Sequence, residues 1–212
     1  GWVAQRFVHP PLLYDQHKFV LRLFTVVTSF HPLKAWHFRD GPVFYTGKAY
    51  DIERALAISK EVSKQAPGDF EAFYEEKGGA FVGKDYILTD YFFSLKQRDY
   101  ETTSAKLLER LSAPPYNLSP DKIWADIEAA MAKSLVVAAD RMAKQEAQSI
   151  THDGSVYEVL GFDILLDSDA KPWVCEVNTT PNMGLEVNRG RDMDVEAEDD
   201  RIKKQIMTAV LN

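Results

Sequence analysis

A chain of 212 residues, 45 % hydrophobic and 27 % charged, can bury a core and suits one large domain or two small ones. Its formal net charge of −7 argues against broad, non-specific binding to nucleic acid. The single cysteine, Cys175, excludes an intrachain disulfide, and no apolar run is long enough to span a bilayer as a helix.

No initiator Met and no signal-peptide pattern open the chain. Residues 2–8 already read as a strand, so a fragment of a longer protein is the simplest expectation, with a processed start as the alternative. Residues 18–30, β-branched and aromatic, read as a long strand that His31-Pro32 ends. Within it Lys18, Val20 and Arg22 share parity, so one face carries two cations, which by itself describes a solvated cationic face. Residues 34–39 and 43–46 follow as strands around the turn signal Asp40-Gly41-Pro42, giving an antiparallel meander. Asp51 suits the cap of a helix over residues 52–64, which Pro67-Gly68 ends. Residues 69–79 are ambiguous, residues 85–93 read as a strand, and residues 103–111 as a short helix. Ser119-Pro120-Asp121 supplies a cap, a proline at the first helical position and an early acid. Ile123, Ile127, Met131 and Val137 then give an apolar face to a helix reaching about residue 148.

Residues 157–178 read as two apolar strands joined by a polar turn, with Asp163, Glu176 and Asn178 set inside them. If the loop is residues 168–171, Asp167 pairs with Pro172 and Asp163 with Glu176. Glu176 and Asn178 then share a face, and the Cβ atoms of the opposed carboxylates lie about 4.5–5.5 Å apart. A loop one residue shorter or longer, without a bulge, puts the two carboxylates on opposite faces. Two readings stand: a site for a hard cation such as Mg²⁺, whose charge offsets the cost of burying the acids, or a solvated sheet face with scattered acids. Alternation against Glu176 places Cys175 in the core. Residues 183–199 are polar and acidic and are expected to be mobile, and residues 201–211 form a last helix. The five histidines lack zinc spacing and read as surface or satisfied side chains, and Trp2, Trp36, Trp124 and Trp173 as packing residues. The sum is α+β, a mainly antiparallel sheet with helices on one side.

Gly161-Phe-Asp-Ile-Leu-Leu-Asp followed by Pro172-Trp-Val-Cys-Glu-Val-Asn-Thr-Thr-Pro181-Asn182 resembles the C-terminal signature of the tubulin tyrosine ligase-like family of ATP-grasp ligases. Gln5-Arg-Phe-Val8, Pro11-Leu-Leu, Lys18-Phe-Val-Leu-Arg22, Arg39-Asp-Gly41 and Leu88-Thr-Asp-Tyr91 are similar to the family's preceding elements in the same order. The resemblance implies that residues 1–212 are one partial domain, the C-terminal part of an ATP-grasp fold, with a divergent segment at 52–84. It implies ATP and Mg²⁺ as cofactors. Asp163, Glu176 and Asn178 match the metal-binding trio, and Arg22 the arginine facing an acyl phosphate, with Arg39 serving the same end. Gln5, Arg6, Val8, Lys18, Thr89 and Asp90 fall at nucleotide-contacting places. The implied reaction adds glutamate, glycine or tyrosine to an acidic, tubulin-like protein tail, in a cytoplasmic setting tied to the cytoskeleton or cilium. A cluster of Arg189, Arg191, Arg201, Lys203 and Lys204 is one candidate groove for such a tail, against a solvated helix and loop.

Three departures accompany the resemblance. Val20 stands where the family has an Asp, and losing a buried hydrogen bond to ribose costs about 1–3 kcal/mol. Asp90 replaces an Asn, adding negative charge near phosphates. The family's N-terminal half is not in this sequence. They motivate a second reading, an inactive ligase-like domain acting as a structural or binding subunit of a larger assembly.

Overall fold

One long strand organises the sheet. In the computed structural model, which describes residues 6–65, 89–90, 103–149 and 157–181 together with 201, 203–205 and 207–208, the strand β2 runs from His17 to Phe30. It is long enough to serve several partners. On one edge its first half pairs antiparallel with β4 (Val43–Thr46) and its second half with β3 (Leu33–His37). On the other edge β6 (Glu158–Leu166) pairs along it from Leu21↔Ile164 to Val27↔Glu158. β1 (Leu13–Tyr14) pairs with its start, β5 (Thr89–Asp90) extends the sheet beyond β4, and β7 (Pro172–Asn178) extends it beyond β6.

Alternation divides β2 into two faces. Phe19, Leu21, Leu23 and Val27 point into the core with Val43, Tyr45, Leu160, Phe162 and Ile164. Two helices cover this face. α2 (Ser104–Ser112) contributes Leu107, Leu108 and Leu111, and α3 (Pro120–Ser149) contributes Ile123, Trp124, Ile127, Met131 and Leu135. Both start where cap chemistry dictates: Thr103 Oγ1 accepts from Lys106 N at 3.4 Å and Ser119 Oγ from Lys122 N at 3.4 Å. α1 (Ile52–Gln65) begins the same way, with Asp51 Oδ1 accepting from Arg54 N at 2.8 Å. The mixed α+β architecture and the helices on one face of a mainly antiparallel sheet are as the sequence pattern implies. Residues 201, 203–205 and 207–208 are helical.

Several local expectations change. Residues 6–8 form no strand, and residues 2–5 lie outside the described residues. The strand expected over residues 34–39 ends at His37, and of the one expected over 85–93 only Thr89–Asp90 is described. The expected loop at 183–199, with Arg189 and Arg191, also falls outside the described residues. The opposite face of β2 is not a solvated cationic surface, because Lys18 and Val20 keep only 7 % and 9 % of their accessible area. Trp36 is not a packing residue but 71 % exposed, whereas Trp124 is buried. His37 is not a satisfied histidine: among the described residues, neither of its ring nitrogens has a hydrogen-bond partner.

The β6–β7 hairpin carries the most instructive difference. The connection is one residue longer than expected, because Leu166, not Asp167, pairs with Pro172. Asp167 instead builds the turn. Its carboxylate accepts from Asp169 N at 3.1 Å, Lys171 N at 3.0 Å and Trp173 Nε1 at 2.8 Å. Continuing that register would set Cys175 across from Asp163 and push Glu176 to the helix-covered face. A bulge prevents this: pairing runs Ile164↔Val174 and then Asp163↔Glu176, with Cys175 the extra residue. Cys175 is therefore exposed rather than in the core.

Candidate active site

The face of the sheet away from α2 and α3 collects the chemistry. Arg22 and Asp163 are cross-strand partners on β2 and β6. The guanidinium grips the carboxylate with two parallel bonds, Nε to Oδ1 and Nη2 to Oδ2, the latter at 2.9 Å. Such a fork is specific to arginine and fixes the orientation of both groups. Phe44 of β4 lies beneath, its ring centroid 5.5 Å from Arg22 Cζ. Across the next strand pair, Glu176 lies opposite Asp163 and Asn178 opposite Gly161. Glu176 is exposed and Asn178 half-buried.

Two glycines make this packing possible. A Cβ on Gly161 would sit 3.0 Å from Pro181 Cβ and 3.3 Å from Arg22 Cδ, so the bare backbone lets Arg22 lie across β6 with Pro181 folded over it. A Cβ on Gly41 would meet the Arg22 carbonyl oxygen at 2.0 Å. The residue next to it, Pro42, accepts from Arg22 N at 2.9 Å. An isolated glycine inside a strand pattern signals close backbone approach, so Gly161 was findable from sequence.

Lys18 lies two residue pairs along the same face of β2, its ammonium 5.3 Å from the centroid of the Phe7 ring. Burial pushes its pKa below the usual lysine value, while the Cys175 sulfur on the bulge works in the opposite direction. The expected nucleotide contacts are otherwise peripheral. Arg6 is exposed and Val8 half-buried, in a non-strand segment leading to β1, and Gln5 lies outside the described residues. Thr89 and Asp90 sit across from Thr46 and Tyr45, on the far side of β4 from β2.

Arg39 does not join the cluster. Its Nε donates to Glu128 Oε1 of α3 at 2.6 Å, which holds it on the helix-covered side of the sheet. That contact raises the Arg39 pKa and lowers that of Glu128. The three expected metal-binding residues are brought to one face. Among the described residues no group of three or more His, Cys, Asp or Glu side chains is placed to hold a metal. Two carboxylates and an amide nevertheless form an all-oxygen donor set, which suits a hard cation and no soft one. Asp163 keeps acceptor capacity beyond Arg22, since a carboxylate has about four lone-pair sites.

The described chain is thus an α+β protein whose mainly antiparallel sheet carries, on its open face, an arginine–carboxylate fork beside a second carboxylate and an amide. The model of the Tubulin-tyrosine ligase family matches residues 1–60 and 92–212. The chain belongs to that family. It is 27 % identical over 202 residues to tubulin polyglutamylase TTLL7 of Xenopus tropicalis, covering 90 % of this chain and 20 % of that protein. It is 26 % identical over 187 residues to the human tubulin monoglutamylase TTLL4, covering 85 % of this chain and 14 % of the relative. With the human tubulin polyglutamylase TTLL5 the identity is 25 % over 190 residues, covering 87 % of this chain and 13 % of the relative. The chain thus spans a fifth or less of the length of these relatives.

Proposed function

We propose that this chain is the C-terminal part of an ATP-dependent ligase that joins an amino acid to a carboxylate on a protein with an acidic, tubulin-like tail. The observation that carries the reading is the register of β6 and β7, which opposes Asp163 to Glu176 beside Arg22. The first step of the reaction is attack of a substrate carboxylate on the terminal phosphorus of ATP, which gives an acyl phosphate and ADP. The amine of the second substrate then attacks the acyl carbon, forms the amide and expels phosphate. The names of the relatives favour glutamate as the amino acid.

Both steps move negative charge, and this chain's residues answer that charge. Arg22 is pre-oriented by Asp163 and presents a planar cation to a phosphoryl or carboxylate oxygen. Lys18 adds a second positive group on the same face of β2. Asp163, Glu176 and Asn178 would hold Mg²⁺, which when bound neutralises phosphate charge.

A second reading, a catalytically inactive ligase-like domain that serves as a structural or binding subunit of a larger assembly and does not take up nucleotide, is favoured by Val20. It sits buried between Lys18 and Arg22 and offers no acceptor to a ribose hydroxyl. Thermal unfolding of the full-length protein separates the two. Millimolar Mg·ATP at 100 times its dissociation constant should add about 2.7 kcal/mol of stability. No shift at saturating nucleotide selects the non-catalytic reading.

A further inference from the structure

Across the sheet from Arg22, beneath α3, the β2–β3 hairpin leaves a cavity of about 310 Å³. Thr25, His37 and Glu128 supply its polar lining and Trp36, Met131 and Leu135 its apolar wall. Thr25 and His37 are cross-strand partners. Thr25 is 2 % exposed, and among the described residues its hydroxyl oxygen makes no hydrogen bond. Neither do the two ring nitrogens of His37, which packs against Trp124 at a centroid distance of 5.6 Å. The nearest carboxylate oxygen, Glu128 Oε1, is 3.8 Å from His37 Nε2 and already accepts from Arg39. Three buried polar atoms without partners on the wall of one cavity are unusual, since buried polar groups are nearly always satisfied.

We propose that this cavity binds an uncharged single-ring molecule bearing a hydroxyl or amide group, with its ring against Trp36, Met131 and Leu135 and its polar end between Thr25 and His37. A hydroxyl both donates and accepts, which matches what Thr25 and a neutral imidazole offer. Burial lowers the His37 pKa, which keeps the ring neutral near pH 7; Glu128 and the nearby Phe24 carbonyl, which already accepts from Phe38 N at 3.2 Å, oppose that lowering, and Arg39 adds to it. The Glu128 carboxylate disfavours an anion, and the cation beside it, Arg39, is engaged, so nucleotides and phosphates do not fit. The volume lies at the small end of ligand pockets, room for one ring rather than two. It would equally hold several waters, each occupying about 30 Å³ in the liquid.

Phenol and toluene, equal in shape, separate these outcomes when titrated into the full-length protein by ligand-detected NMR. Phenol is expected to saturate with a dissociation constant of about 1 mM or tighter, and toluene to bind at least about tenfold more weakly. Thr25→Val, which removes the hydroxyl at nearly constant volume, should weaken phenol and leave toluene unchanged. Ala132→Leu, at the rim on α3, should exclude both and does not depend on a core substitution folding. Saturating Mg·ATP should not compete, because the cavity is on the other face of the sheet. Absence of saturable phenol binding, equal affinity for phenol and toluene, or phenol binding untouched by Ala132→Leu would each overturn the proposal.

Discussion

At the residue scale, the site depends on one arginine held from three sides. Asp163 fixes its guanidinium, Phe44 underlies it, and Gly161 and Gly41 leave room for its side chain and its carbonyl. Gly161→Ala is therefore a sharper probe than truncating Arg22 itself. The new methyl meets Pro181 at 3.0 Å and Arg22 at 3.3 Å, and the neighbours must shift. We expect a stability loss of about 1–3 kcal/mol by urea unfolding, as for overpacking elsewhere. We also expect ligation by the full-length protein to fall at a fixed folded fraction. Ligation unchanged in the folded variant means that the position of Arg22 is not limiting. His37 makes a separate prediction. Burial holds its folded pKa below the usual 6.5, so the unfolded chain binds the proton more readily. The sign follows: stability is retained above about 6.5 and falls as pH drops below it, with a slope of at most about 1.4 kcal/mol per pH unit. In His37→Gln that component of the pH dependence should vanish from unfolding curves.

At the element scale, the hairpin shows what a sequence can and cannot disclose. Strand and helix positions were legible because alternation, Pro and Gly punctuation and Ser, Thr and Asp caps act locally. The opposition of Asp163 and Glu176 was also anticipated, but on a four-residue loop. The real connection is one residue longer, and the bulge at Cys175 cancels the slip. The two departures differ in kind: Asp167 leaves the strand because its carboxylate satisfies three donors within the next six residues, a local device that the alternation pattern does not display, and a bulge residue has no distinctive composition. The same blindness hid the side on which Arg39 lies, which the ion pair with Glu128 on α3 decides. The bulge can be tested by length. Deleting Cys175 regularises β7 and leaves Glu176 across from Asp163, so ligation should survive within about tenfold. Inserting one alanine after Cys175 lets the ladder run without a bulge, with Cys175 across from Asp163 and Glu176 moved across from Gly161, so the two carboxylates are no longer opposed and ligation should fall by about 100-fold or more. Equal activities would show that the bulge does not set the site.

At the scale of the whole molecule, the sheet separates two environments. One face is closed by α2 and α3 around a continuous apolar core, and it carries the Thr25–His37 cavity near one end. The other gathers Lys18, Arg22, Asp163, Glu176 and Asn178. The family match covers all five of these positions and skips residues 61–91. A net charge of −7 provides no general attraction for an acidic tail, so under the proposed reading recognition of such a substrate would need local cations. The most direct test of the central claim is ATP- and Mg²⁺-dependent incorporation of labelled glutamate into tubulin by the full-length protein, compared with its Glu176→Ala variant at equal folded fraction. The account predicts a loss of about 100-fold or more, the scale on which removing one preorganised electrostatic contact acts. Incorporation by the wild type that Glu176→Ala leaves unchanged would contradict it.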